Sequence, residues 1–172
     1  VELTDDQIDE GLEVIRRLWD AGLAHRDLKP ANIMVLDGHV VLNDVAFGQV
    51  RPTPWRQAVD LANMMLVLAL SSDPERVDNR ALQFFSPDDV AEAFAATRSV
   101  SVPSQSRSML RSVRKDQRVD LVQSFRDLAP SRERISIQRW SRRRIAMAIV
   151  TLVAFLILLS FIIDNIRGQG FI

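Results

Sequence analysis

Apolar residues recur at helical spacing from the start of the chain: Ile8, Leu12, Ile15 and Trp19, with Val14 and Leu18 beside them. This predicts an amphipathic helix over 4–21. Thr4 stands three residues before Gln7, the spacing of a capping box, and Gly22 suits the C-terminal end. Two short apolar runs, 33–36 and 39–42, flank Asp37-Gly38 and predict a tight hairpin. Pro52 and Pro54 break the next loop. Residues 56–70 are apolar nearly throughout, which predicts a buried helix, too short and too interrupted by Asp60 and Asn63 to span a bilayer. Ser72-Asp73-Pro74 and Ser86-Pro87 each pair a capping residue with Pro at the first helical position and open helices over 74–84 and 87–98. The Ser-rich stretch 99–108, with Pro103, reads as a linker, and 109–128 as mildly amphipathic and basic. No internal repeat is visible.

A different pattern follows. Residues 145–163 carry no charge, Pro or Gly. At 1.5 Å rise these residues span roughly 28 Å, close to the hydrocarbon thickness of a bilayer. A C-terminal transmembrane helix is expected there. Arg139, Arg142, Arg143 and Arg144 crowd its N-terminal side, against Asp164 and Arg167 beyond it. The positive-inside rule then places 1–144 in the cytoplasm and 164–172 outside as a short tail. The expected localisation is the cell membrane, single-pass. The basic stretch from Arg132 to Arg144 would rest on the lipid bilayer. Nucleic acid is a poorer partner for these arginines, which abut an apolar span and lack interleaved aromatics.

Charge sharpens the division. The 172 residues balance 22 Lys+Arg against 22 Asp+Glu. Residues 1–97 hold 8 basic and 17 acidic residues, whereas 98–144 hold 13 and 4. Two parts with different surroundings follow. The absence of Cys excludes a disulfide scaffold and a thiolate metal site. The first residue is Val, which suggests a fragment or a processed product.

Candidate chemistry lies in His25-Arg26-Asp27-Leu28-Lys29-Pro30-Ala31-Asn32. Lys29 is one of only two lysines in a chain that otherwise uses Arg. Asp27 and Asn32 flank a short loop between the first helix and the hairpin, whose equal arms return Asp44 beside Asn32. A carboxylate and an amide carbonyl are hard oxygen ligands, suited to Mg²⁺ held with nucleotide phosphates. Asp27 can accept the proton of an attacking hydroxyl, and Lys29 can offset phosphoryl charge. Asp60, a charge in an apolar helix, requires polar partners. His39 is expected on the surface, and Trp19 and Trp55 in packing.

This stretch resembles the catalytic loop of the protein-kinase-like superfamily, H-R-D-x-K-x-x-N. The resemblance covers about 4–98. It implies a mainly α (α+β) fold: a protein-kinase-like large lobe with a short β-hairpin, here joined to the C-terminal transmembrane helix through a linker (99–108) and a basic juxtamembrane region (109–144). It implies Asp27 as catalytic base and Lys29 as the contact to the transferred phosphate. Asn32 and Asp44 become metal ligands, Asp44 matching the D-F-G aspartate. His25 and Arg26 become structural, and Asp60 matches the helix aspartate that bonds the catalytic-loop backbone. ATP and Mg²⁺ are the implied cofactors.

Three departures bear on function. The D-F-G element reads Asp44-Val45-Ala46, with Phe47-Gly48 two residues late. Divergent bacterial, RIO-type and lipopolysaccharide-core kinases keep the ligand Asp in this way. Only 15 residues separate Asp44 from Asp60, too few for a long activation segment. No G-x-G-x-x-G occurs and no Lys precedes Lys29, so the small lobe is missing from this chain. The expectation is a membrane-anchored, ATP-dependent phosphotransferase acting on a hydroxyl of a protein, lipid or sugar, not active as this fragment alone. The alternative is a pseudokinase, a non-catalytic binding module.

Overall fold

The computed structural model describes residues 2–97, 101–129, 150–160 and 162–163. The chain divides into two compact units, Val1–Ile135 and Ser136–Ile172.

In the first unit, α1 spans Asp5–Asp20. Its capping box is formed as the spacing predicts: Gln7 N donates to Thr4 Oγ1 and Thr4 N to Gln7 Oε1. Its buried face is Ile8, Gly11, Leu12 and Ile15. A Cβ on Gly11 would come within 3.3 Å of Leu68 Cδ2, so the glycine sets how closely α1 approaches its neighbour. Gly22, at φ +67°, turns the chain out of the helix. The hairpin strands β2 (Ile33–Leu36) and β3 (His39–Leu42) pair in the expected register, Ile33 opposite Leu42 and Leu36 opposite His39. Asp37 and Gly38 both have positive φ, as a type I′ turn requires.

A second small sheet was not expected. Strand β1 (Leu23–Ala24) pairs antiparallel with β4 (Gln49–Val50), so the chain from the first helix to Pro52 is closed at its base. The core helix α2 spans Pro54–Ala69, and every residue from Ala58 to Ala69 is buried. Around it pack α1, α3 (Pro74–Ala81) and α4 (Pro87–Ala96). Asp73 caps α3 and Ser86 caps α4, the latter in a full capping box with Asp89. Arg76 bonds Asp5 at 2.6 Å, and Arg80 forks onto Asp9, clamping α3 to α1. Trp19 meets Phe85 edge-on at 5.1 Å, and Trp55 packs on Ala58, Val59 and Ala96.

The basic region differs from its sequence reading. Helix α5 (Ser104–Gln117) begins inside the stretch expected as linker. It ends at Arg118, which takes the left-handed conformation, and α6 (Leu121–Leu128) follows, capped by Asp120. Leu121 and Phe125 of α6 are buried in the main core, with Phe125 stacked on Phe94 at 4.6 Å. This amphipathic segment is therefore a packing element of the first unit.

The fold class needs correction in its membrane part. Among the described residues, no helix is long and apolar enough to cross a membrane. Within 145–163 the structure describes helix over 150–160 and at 162–163. Residues 145–149, 161 and 164–172 lie outside the described residues, as does the basic stretch 132–144. What is described is a mainly helical chain with two two-stranded sheets.

Candidate active site

The loop between β1 and β2 is fastened from below by α2. Asp60, buried in that helix, accepts the backbone N–H of His25 at 2.5 Å and that of Arg26 at 3.0 and 3.2 Å. Burial raises its carboxyl above the ordinary carboxylate range, and the two N–H groups pull the other way. Arg26 sits at φ 71°, a conformation unfavourable for a residue with a Cβ, and its bond to Asp60 holds it there. The His25 ring is buried and donates from Nε2 to the Asn43 carbonyl at 3.2 Å, tying the loop to the end of β3. Nδ1 of the same ring is buried without a partner.

This fastening presents Asp27, Lys29 and Asn32 together. Lys29 Nζ donates to Asp27 Oδ2 at 2.5 Å, and Asn32 Nδ2 donates to the same oxygen at 3.1 Å and to the Asp27 carbonyl at 2.8 Å. The single turn Pro30–Asn32 folds Asn32 back over the loop to make this possible. Two donors converge on Oδ2, while Asp27 Oδ1 makes no hydrogen bond among the described residues. The Asp27 and Lys29 side chains are part-exposed, so the cluster is open to a ligand. With its Nδ2 engaged, Asn32 has its amide oxygen left for an electrophile.

Asp44 reaches the neighbourhood by the hairpin. Asn43 N bonds the Asn32 carbonyl at 2.9 Å, so Asn43 stands opposite Asn32 and Asp44 is the next residue. Asp44 is exposed, at φ 58°, with its N–H held by Asn43 Oδ1. Its carboxylate has no partner among the described residues, and no group of three His, Cys, Asp or Glu side chains there is placed to hold a metal. The turn Val45–Phe47 follows, with Phe47 58% exposed, so the displaced phenylalanine does not pack inward.

Two contributors escaped sequence reasoning. Asn43 serves both His25 and Asp44, and its only signal was its place before an aspartate at a strand end. Gln105 Oε1 accepts the Ala31 N–H at 3.2 Å from 74 residues away, a contact with no local signature. His39 is exposed, as expected, but it has a partner: Nδ1 lies 2.7 Å from Glu10, whose other oxygen accepts Val40 N–H.

Comparison with protein-family models, curated proteins and solved structures finds no match.

Proposed function

We propose that this chain carries the phosphate-transfer half of a protein-kinase-like phosphotransferase that moves the γ-phosphate of ATP to a hydroxyl group. One observation carries the reading: the Asp27 carboxylate is oriented through Oδ2 by Lys29 and Asn32, with Oδ1 left unengaged. An oriented carboxylate with one unengaged oxygen suits acceptance of a proton from an attacking hydroxyl. Lys29, paired with Asp27 at rest, is placed to shift toward a phosphoryl group that brings more negative charge. The Asn32 amide oxygen and the Asp44 carboxylate are hard donors that fit Mg²⁺. When bound, Mg²⁺ and ATP would supply charge neutralisation and the transferable phosphoryl group. Asp60 and His25 keep the loop backbone fixed, so that Asp27 loses little freedom on reaching its reactive position. The exposed apolar side chains Met34, Val35 and Phe47 beside the loop offer a face for a purine ring or a second lobe.

A second reading, a non-catalytic nucleotide-binding module, is favoured by one fact: no Gly-rich loop and no Lys before Lys29 occur in these residues. Calorimetric titration of the full-length protein with Mg²⁺–ATP, paired with release of γ-phosphate, separates the two. Turnover that falls on Asp44→Asn and Asn32→Leu supports the phosphotransferase. Binding without turnover supports the module, and neither binding nor turnover contradicts both.

A further inference from the structure

Away from the loop of Asp27, α5 and α6 flank an open cavity of about 270 Å³ lined by Arg107, Arg111, Arg114, Arg126, Gln123 and Asp120. Arg107, Arg111 and Arg114 fall at spacings of four and three, on one face of α5. Arg126 enters from α6 and is anchored: Nη2 donates to the Thr97 carbonyl at 2.7 Å and Nε to the Phe94 carbonyl at 3.4 Å, at the C-terminal end of α4. The only acid among the described lining residues, Asp120, reaches Arg114 at 3.5 Å, and both side chains are well exposed, so this pair is weak. The Arg107 and Arg111 side chains have no hydrogen bond or ion pair among the described residues. Among the described residues, four guanidinium groups and one carboxylate line this concave space. Like charges one helical turn apart repel, and the Arg107 and Arg111 side chains meet no counter-charge among the described residues.

Such a lining calls for an anion. Guanidinium forks match phosphate oxygens two at a time, and the neutral Gln123 amide adds a further donor. The apolar floor, which includes Leu110 and Val122, strengthens each charge-assisted bond by excluding water. The volume lies just below the range usual for drug-sized ligands, which fits a phosphate or diphosphate group. We propose that this cavity is a binding site for a phosphate group of a phosphate ester, held by Arg107 and Arg111 and closed by Arg126. None of its lining residues belongs to the catalytic cluster.

The test is calorimetric titration of the full chain with inorganic pyrophosphate at physiological ionic strength. Saturable binding is expected, weakened roughly ten-fold or more in the Arg107→Gln/Arg111→Gln double variant, a loss of about 1.4 kcal/mol or more. Without pyrophosphate that variant should unfold at the wild-type temperature or above, since a repulsion has been removed. An Arg17→Gln/Arg51→Gln variant controls for net charge and should bind as wild type. Titration with glycerol phosphate and with a short-chain phosphatidate distinguishes the source: tighter binding of the lipid assigns a headgroup, and equal or tighter binding of glycerol phosphate assigns a soluble ester. Absence of saturable binding, or equal weakening in the control variant, overturns the proposal.

Discussion

Substituting Asp60 tests how the loop carrying Asp27, Lys29 and Asn32 is held. Asp60→Ala removes the acceptor for two buried N–H groups, His25 at 2.5 Å and Arg26 at 3.0 and 3.2 Å. A hydrogen bond to a charged acceptor contributes about 1.5–3 kcal/mol, so two such donors represent about 3–6 kcal/mol. Part is offset, because the same substitution abolishes the burial that raises this carboxyl. A net loss of about 2–4 kcal/mol is expected, a large share of a domain's usual stability of about 5–15 kcal/mol. Asp60→Asn keeps an acceptor oxygen and should cost about half as much. Because folding raises the Asp60 pKa above its ordinary 3.8, its contribution is complete below that value and declines as pH rises through the folded pKa. The advantage of wild type over Asp60→Asn should therefore shrink from acid to neutral pH. Urea denaturation followed by Trp fluorescence reads both effects, since Trp19 and Trp55 both pack against helix residues of the first unit. An Ala variant as stable as wild type, or a wild-type advantage that grows with pH, would refute the reasoning.

Further outcomes follow from other parts of the fold. Phe125→Ala should cost about 3–5 kcal/mol in the same denaturation assay, because Phe125 is fully buried against Phe94. A surface-helix value near zero would mean that α6 does not share the core. Arg118→Gly should stabilise by about 0.5–1 kcal/mol, since Arg118 holds φ 60° between α5 and α6. A drop in its melting temperature would count against that geometry. The Glu10 carboxyl is held below its ordinary value by Val40 N–H first and by His39 next. Its contribution is present above the unfolded value of 4.5 and is lost as pH falls through the lower folded value, so Glu10→Gln should flatten that part of the acid limb of the stability profile.

Legibility followed sequence separation. The α1 capping box, the Asp37-Gly38 turn and the Pro-initiated helices rest on residues within four positions of each other, and the pattern alone found them. The cluster of Asp27, Lys29 and Asn32 was legible for the same reason: it closes within one loop. The β1–β4 pairing escaped because two-residue strands carry no periodicity and meet across the whole hairpin. The division of α5 from α6 escaped because Arg, without a glycine beside it, takes the left-handed position. Pro103 read as linker punctuation yet it precedes a helix start. The 145–163 run satisfied a hydropathy criterion, which measures apolar length along the whole run; among the described residues no helix is long and apolar enough to cross a membrane.

The central claim is that Asp27, held through Oδ2 by Lys29 and Asn32, is the base of a phosphotransfer centre. Its most direct test is the rate of γ-phosphate transfer from Mg²⁺–ATP by wild type and by Asp27→Asn, with urea denaturation establishing that both are equally folded. In the full-length protein, with its nucleotide-binding lobe, the account predicts measurable wild-type turnover and a loss of roughly 10²–10⁴-fold in the variant; equal turnover by the two proteins would contradict it.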